Sequence, residues 1–255
     1  MKVEFVDLCG LRVDGRRPGE LRKVHAKLGV VSNATGSALL EQGISKVVAS
    51  VSGPHECTQR SLEQHDRAVV NCRVIMAPFA ASQSDRKKRR RTDTTLMEVA
   101  TMVKQTLESV IFLELHPRAQ IDVTLEVIQA DGPVRALCIN AATLALIDAG
   151  IAIKDFLTAA SVGYVDGHLL LDVNHAEDAA KGPETCIAYL PNTDAIVTVN
   201  LEPKLPLEEL PAVTELALGG CALPLFFSPR PPTCIVRSPS RYNLYNPWLN
   251  PLVIL

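Results

Sequence analysis

The chain contains 255 residues, of which 47% are hydrophobic and 21% are charged. This composition excludes a disordered, collagen-like or coiled-coil protein and suits one large domain or two small ones. The net charge of −2 argues, taken alone, against nucleic-acid binding. The charges are unevenly distributed, because residues 1–91 hold 17 basic and 9 acidic side chains (+8), whereas residues 92–255 hold 9 and 19 (−10).

The seven cysteines are scattered and include no Cys-x-x-Cys pair. Zinc sites and disulfide frameworks need paired spacings, so we expect reduced cysteines that serve as small core residues of an intracellular protein. The N-terminus has no continuous apolar segment, and no stretch reaches about 18 uninterrupted apolar residues. We therefore expect no secretory signal, no membrane span and no structural metal.

The first predicted elements are strands. Apolar and polar residues alternate over three segments separated by turn residues, which indicates an antiparallel meander: 26–31, 37–41 and 46–51. A fourth apolar run follows at 67–76. From Asp93 onward the apolar period becomes that of a helix, with Thr92 or Asp93 as N-cap and Pro117 as the stop.

A second cycle of strands and helices follows. Residues 120–129 alternate as a strand, and residues 135–149 have helical periodicity. Two hairpins and a last amphipathic helix are predicted after them: 156–164 with 168–173, 185–190 with 195–201, and 206–218. Because strands and then a helix occur twice without a linker, the pattern predicts one α+β domain with mixed sheets. Prolines from Pro224 onward predict an irregular tail that leaves the last helix near Gly219-Gly220.

The densest charge feature is a run of six basic residues between a strand and a helix: Arg86, Lys87, Lys88, Arg89, Arg90 and Arg91. These like charges repel one another, so the run suits contact with the phosphates of a polyanion. A solvated loop or a localisation signal has the same composition. Six further basic residues keep the N-terminal part positive, which favours a nucleic-acid backbone as the partner: Arg16, Arg17, Arg22, Lys23, Lys27 and Arg60.

Two further segments could carry chemistry. In 131–135 a glycine turn leads into a helix whose first turn contains an arginine, a suitable cradle for phosphate, although such junctions are common and Pro133 lacks an N–H donor. In 174–178, carboxylates gather just beyond a strand, with Glu184 nearby. They could bind a divalent ion or act as a general acid, and the alternative is an exposed acidic loop.

A series of short motifs occurs in a characteristic order: RVDGRRPGELR at 12–22, ATGSA at 34–38 with EQG at 41–43, SGPHE at 52–56, LHPR at 115–118, QADG at 129–132, NAATLA at 140–145 with DAG at 148–150, and GYVDG at 163–167. Together they resemble the RNase PH family, and within it the ring subunits of the RNA exosome. The resemblance covers about residues 8–218, which we take as one RNase PH-like domain followed by a Pro-rich tail over 219–255.

The resemblance implies an RNase PH-like (ribosomal protein S5 domain 2-like) fold with a duplicated strand-strand-helix plan. It also implies a six-membered ring built with other RNase PH-like exosome subunits, with single-stranded RNA passing through the centre. RNA-binding cap subunits and an associated hydrolytic nuclease would be further partners. Such complexes act in ribosomal-RNA processing and RNA degradation in the nucleus, nucleolus and cytoplasm. No cofactor is expected; active members use inorganic phosphate as a co-substrate, and a divalent ion would serve only an active site.

Site residues follow from motif matching. Arg135, with Gly132, corresponds to the phosphate-binding arginine of active members, which cleave RNA from the 3′ end with phosphate as the nucleophile. Asp178 corresponds to the acidic residue near the scissile bond, and Glu184 to a second catalytic aspartate. Arg60 and the basic run 86–91 would face the RNA.

Three departures from the pattern of active members favour a chain without catalysis. Active members have Gly-Gly-Ser/Thr-Arg where this chain has Gly132-Pro133-Val134-Arg135. They carry an arginine pair where this chain has Thr94 and Thr95, and an aspartate in place of Glu184. The resemblance thus favours a non-catalytic RNA-binding ring subunit, with a phosphorolytic 3′–5′ exoribonuclease as the alternative.

Overall fold

The structure is a computed structural model that describes residues 5–7, 10–57, 63–80, 94–165, 167–180, 182–202 and 205–222. Within these ranges the chain forms the following elements in order: β1 (Val24–Leu28), β2 (Gly36–Gln42), β3 (Ser45–Glu56), β4 (Val69–Met76), α1 (Thr94–Val110), β5 (Ala119–Gln129), α2 (Arg135–Asp148), β6 (Thr158–Val165), β7 (His168–Leu171), α3 (His175–Asp178), β8 (Glu184–Leu190), β9 (Ala195–Glu202) and α4 (Leu210–Ala222).

The first sheet has the strand order β1-β2-β3-β5-β4. The predicted antiparallel meander is confirmed, since β1 pairs with β2 and β2 with β3 in antiparallel register. Alternation produces its inner face, where Val47, Ala49 and Val51 are completely buried. The fourth strand differs, because β4 runs parallel to β5 at the sheet edge. Helix α1 connects these two strands, as a parallel pair requires.

Helix α2 lies between the two sheets and contacts β2 and β3 on one side and β6 and β8 on the other. Ten of its fourteen residues are therefore buried, from Ala136 to Leu146. A helix that is apolar on all sides is typical of such a central position. Gly36 permits the close approach of β2, since a Cβ there would lie 2.2 Å from the backbone nitrogen of Ala149.

The second sheet is antiparallel, with the order β7-β6-β8-β9, so both predicted hairpins form. Its outer face is covered by α4, whose Val213, Ala217 and Cys221 pack against Ala160 and Ile187. The described residues thus build four layers: the first sheet, the helices α1 and α2, the second sheet, and α4. This arrangement confirms the predicted α+β class.

Two helix ends were predicted wrongly. Helix α1 ends at Val110, well before Pro117, because Ile111 forms a β-bridge with Ile153 and residues 113–115 form a 3-10 turn. Helix α4 begins at Leu210 and continues to Ala222.

The last helix therefore does not end near Gly219-Gly220, and the predicted domain end at residue 218 falls inside it. Packing extends α4, because the fully buried Cys221 is held against β8. A Cβ on Gly220 would lie 2.6 Å from the side chain of Leu171, so glycine allows this close crossing. The tail from residue 223, the proposed N-caps Thr92 and Asp93, and the turn residue Asp166 lie outside the described residues.

The expected core role of the cysteines is confirmed for Cys138, Cys186 and Cys221, which are 0–3% exposed. Burial raises the pKa of the Cys138 thiol to about 12, which keeps it uncharged.

Among the described residues, none of the helices combines the length and the hydropathy needed to cross a bilayer.

Candidate active site

The candidate site lies where the N-terminus of α2 meets the segment between β7 and β8. Residues 131–134 form the loop that connects β5 to α2, and this loop packs against the chain just before α3. Gly132 has φ of 87°, and a Cβ there would lie 2.5 Å from the carbonyl oxygen of Val173. Only glycine permits this approach, which brings the predicted phosphate loop beside the helix that carries Asp178.

Arg135, the first residue of α2, contacts two carboxylates. Its Nη2 lies 2.7 Å from Oε2 of Glu202 at the end of β9, and its Nη1 lies 3.7 Å from Oε2 of Glu184 at the start of β8. Glu184 and Glu202 are direct partners in the antiparallel β8–β9 register, so both side chains point to the same face. Like charges in such a pair repel, and the guanidinium of Arg135 offsets this repulsion.

Glu184 is the most perturbed carboxyl group of the site. Its side chain is only 15% exposed, and its Oε1 has no hydrogen-bond partner within the described residues. Burial raises its pKa to about 7 although Arg135 opposes the shift, and the negative charges of Asp178 and Glu202 raise it further. The structure therefore brings together the predicted residues Arg135, Asp178 and Glu184.

Helix α3 is short but firmly capped. The side chain of Asn174 accepts a hydrogen bond from the Glu177 backbone N–H at 2.9 Å, and the Glu177 carboxylate accepts one from the Asn174 backbone N–H at 3.0 Å. The alternative of an exposed acidic loop is wrong for Glu177, whose side chain is completely buried, and it fits Asp178, which is exposed. The cap fixes the turn that carries Asp178.

Arg12 is the buried partner of Glu177, a role that sequence reasoning missed. Its Nε lies 2.8 Å from Oε1 of Glu177, a second N–H donates to Oε2, and both side chains are 0% exposed. The same guanidinium donates to the carbonyl oxygens of Leu171 and Asp172. Saturated hydrogen bonding of this kind is what allows an ion pair to be buried. Arg12 stands in the 12–22 motif, but nothing local in the sequence identifies Glu177 as its partner.

Arg22 connects the phosphate loop to the end of β7. It donates to both carboxylate oxygens of Asp172, at 2.7 and 2.9 Å, and to the carboxylate and carbonyl oxygens of Asp131 at 3.0 Å each. Burial favours the neutral form of Asp172, but the hydrogen bonds from Arg22 outweigh burial and lower its pKa. Asp131 also accepts a hydrogen bond from the His175 backbone N–H, which ties the loop directly to α3.

These contacts correct the charge argument for the N-terminal part of the chain. Arg16 and Arg22, counted above as favouring a nucleic-acid partner, have side chains only 10–12% exposed and pair with Asp14, Asp131 and Asp172. Much of the local positive charge is therefore neutralised inside the fold. Arg60 and the run Arg86 to Arg91 lie outside the described residues, so their predicted contact with RNA stays a prediction.

The arrangement has the parts of an anion site, but its charge balance is unfavourable to anions. Helix α2 begins after Val134 without a side-chain cap, so its first N–H groups point toward the loop. However, Arg135 already contacts two glutamates, and Pro133 supplies no N–H donor. Within the described residues no group of three or more His, Cys, Asp and Glu side chains has the geometry to hold a metal ion, and the divalent ion stays a prediction.

The predicted glycine loop at the start of a helix is present, and the structure adds that this helix is buried and that the acidic turn beside it is capped. A comparison with protein families agrees, because the profile described as "3' exoribonuclease family, domain 1" matches residues 20–152. The chain belongs to this family, the RNase PH family.

The most informative relatives are all exosome proteins. The chain is 46% identical over 216 residues to "Exosome complex component RRP41" of Homo sapiens, which covers 84% of this chain and 87% of that protein. It is 44% identical over 220 residues to the Arabidopsis thaliana homolog, covering 86% and 90%, and 37% identical over 218 residues to the Pyrococcus furiosus protein, covering 86% of each. The resemblance to exosome subunits of the ribosomal-RNA-processing protein 41 type is thereby confirmed.

Solved structures confirm the RNase PH-like fold. Rice Rrp46 superposes with a TM-score of 0.72 at 27% identity, covering 83% of this chain and 95% of that chain. A chain of the structure described as "archaeoglobus fulgidus exosome with RNA bound to the active site" superposes with a TM-score of 0.75 at 20% identity, covering 86% and 94%.

Proposed function

We propose that this chain is a non-catalytic, RNA-binding ring subunit of an RNA exosome. In this role it threads single-stranded RNA toward a hydrolytic nuclease supplied by another subunit, for 3′–5′ processing and degradation. The names of its relatives support membership of an exosome, and the RNA bound in the archaeal exosome structure supports RNA as the ligand class.

One observation carries the non-catalytic assignment, namely the engagement of Arg135 by Glu202 and Glu184 at 2.7 and 3.7 Å. Two carboxyl groups contact this single guanidinium, and the charge of Asp178 acts on Glu184 beside it, so an incoming phosphate meets negative charge. The loop also lacks the hydroxyl and the N–H that Pro133 and Val134 replace. Loss of one preorganised donor for a developing charge costs on the order of 100-fold in rate.

A specific observation favours the alternative, a phosphorolytic 3′–5′ exoribonuclease that releases nucleoside diphosphates. Gly132, Arg135, Asp178 and Glu184 converge on one site despite their separation in the sequence. The pKa of Glu184, about 7, would suit a general acid at neutral pH. Inorganic phosphate would be the co-substrate in this case.

The proposed partners are other RNase PH-like subunits in a six-membered ring, together with RNA-binding cap subunits. Strand β9 supports an interface of this kind, because it is an edge strand of the second sheet. Its side chains Ile196, Val199 and Leu201 are 36–51% exposed, and unpaired edges with apolar side chains favour association. We place this function in ribosomal-RNA processing and RNA turnover, in the nucleus, nucleolus and cytoplasm.

A phosphorolysis assay on the reconstituted complex tests the proposal. The complex is incubated with an RNA that has a free 3′ end, with and without inorganic phosphate, and nucleoside diphosphates are measured. We expect no phosphate-dependent release. Release that requires phosphate and disappears in the Asp178→Ala variant would replace this proposal with the phosphorolytic alternative.

A further inference from the structure

We propose that the carboxylate of Glu202 acts as an internal anion on Arg135, occupying the position that inorganic phosphate would take and so keeping phosphate out. This inference rests on the proposed function and deepens it, since it assigns the exclusion of phosphate to one residue on β9.

The contact geometry supports this role. The 2.7 Å separation between Nη2 of Arg135 and Oε2 of Glu202 is that of a charge-assisted hydrogen bond. A carboxylate and a phosphate present the same kind of oxygen to a guanidinium, so the two compete for one donor group. The second oxygen of Glu202 accepts a weaker hydrogen bond from the Asn200 amide at 3.4 Å, within the same strand.

Exposure distinguishes the two glutamates that contact Arg135. The side chains of Arg135 and Glu184 are 16% and 15% exposed, whereas the Glu202 side chain is 50% exposed. Glu184 therefore contacts the guanidinium from the buried side, and Glu202 contacts it from the side that faces solvent. An anion that approaches from solvent meets Glu202 first.

Glu202 is also the stronger of the two competitors below neutral pH. The Glu184 oxygen is more distant, at 3.7 Å, and the pKa of Glu184 is raised to about 7 by burial. At about pH 6 most Glu184 side chains are therefore protonated and attract the guanidinium less. Measurements at this pH isolate the effect of Glu202.

The ion pair between Arg135 and Glu202 is weak, so substituting Glu202 alone should be enough to change how tightly the site binds phosphate. Half-exposed ion pairs shift an equilibrium by no more than about fivefold, and removing Glu202 also removes its repulsion of an incoming anion. We expect the Glu202→Gln variant, which keeps the side-chain shape, to bind inorganic phosphate several-fold more tightly than the unsubstituted chain.

The experiment titrates inorganic phosphate into the full chain, alone or in the complex in which it is soluble, at constant ionic strength and about pH 6. Glu126→Gln serves as the charge-matched control, since Glu126 is an exposed carboxylate on β5. Glu202→Asp, which withdraws the carboxylate by one methylene, should give an intermediate affinity. In the double variant Glu202→Gln/Arg135→Gln the gain should disappear.

The inference is wrong if Glu202→Gln binds phosphate no more tightly than the unsubstituted chain, if Glu126→Gln gains as much, or if the gain survives replacement of Arg135. These outcomes differ from failure of the proposed function, which requires phosphorolysis by the unsubstituted complex. Tight phosphate binding by Glu202→Gln without RNA shortening would support both proposals.

Discussion

At the scale of single residues, ion pairs organise the site more than exposed charges do. Arg12 and Arg22 each join an N-terminal segment to residues that are more than 100 positions away. Through Glu177, Asp172 and Asp131 they fix the acidic turn and the glycine loop against each other. Their function is positional, because a largely buried guanidinium whose three nitrogens all donate to protein oxygens is not available to RNA phosphates.

The Arg12–Glu177 pair gives the first prediction. Replacing Arg12 by Met leaves the Glu177 carboxylate buried without its partner, which costs about 3–5 kcal/mol in the free energy of unfolding. Urea denaturation of the variant measures this loss. The double variant Arg12→Met/Glu177→Leu removes both charges and should recover part of the stability; a double variant as unstable as the sum of the single ones would contradict a coupled pair.

Glu184 gives a prediction about pH. Its pKa is raised from 4.5 to about 7 in the folded state, so between these values the folded chain binds more protons than the unfolded chain. The group's contribution to the free energy of unfolding therefore falls as the pH rises through this window, and is constant above it. Glu184→Gln should raise stability by about 1–3 kcal/mol at pH 8 and much less at pH 5.

Thermal unfolding of Glu184→Gln and the unsubstituted chain at several pH values checks this prediction. Glu202→Gln is a suitable comparison, because the Glu202 side chain contacts the same arginine but is half exposed to water. A stability difference for Glu184→Gln that does not depend on pH would show that Glu184 is ionised throughout the range.

At the scale of elements, the start of α2 depends on a close approach of two backbones. The loop before the helix lies against Val173 and Asn174 at the start of α3, and Gly132 is the residue at the contact. The relative position of Arg135 and Asp178 is thus decided by glycine geometry as well as by the ion pairs of Arg22.

Gly132→Ala tests this close approach. The substitution combines a positive φ with a Cβ placed 2.5 Å from a carbonyl oxygen, so we expect a loss of about 3 kcal/mol or more. Gly150→Ala is the matched control, because Gly150 also has a positive φ of 72° but nothing lies within 4 Å of its Cβ position. The control should lose only about 1–2 kcal/mol. Equal losses in chemical denaturation would argue that conformational strain alone is responsible.

At the scale of the whole molecule, the net charge of −2 conceals a basic N-terminal part, and the fold neutralises several of those basic groups internally. The run Arg86 to Arg91 is the densest remaining positive segment in the sequence. RNA binding by this chain should therefore depend strongly on this run.

Replacing the six basic residues by Ser should weaken RNA binding and flatten its salt dependence. Removing one phosphate contact changes the slope of log affinity against log salt by about 0.7 for single strands, so the slope should decrease by up to about 4. Binding titrations at several salt concentrations measure the slope. A variant with six lysines should keep the original slope, and an unchanged slope in the serine variant would assign RNA binding to other residues.

Local patterns in the sequence were sufficient for most of the elements. Alternation predicted β1 to β3 and β5, and turn residues predicted both hairpins of the second sheet, because period and turn chemistry are local properties. The ordered motifs were sufficient for the family. The end of α1 and the extension of α4 were not predictable in this way, since a bridge to Ile153 and the packing of Cys221 decide them.

The sequence by itself determined the fold class, the family and four of the residues that converge on the site, namely Gly132, Arg135, Asp178 and Glu184. Only the tertiary structure decided what those residues contact. Arg12 and Glu177 are 165 positions apart, and Arg135 and Glu202 are 67 apart, so no local pattern links them. Parallel pairing of β4 with β5 and the β8–β9 register arise from the packing of whole elements around α2. The charge that reaches solvent depends on these long-range contacts, because an arginine neutralised inside the fold and one facing RNA look the same in the sequence.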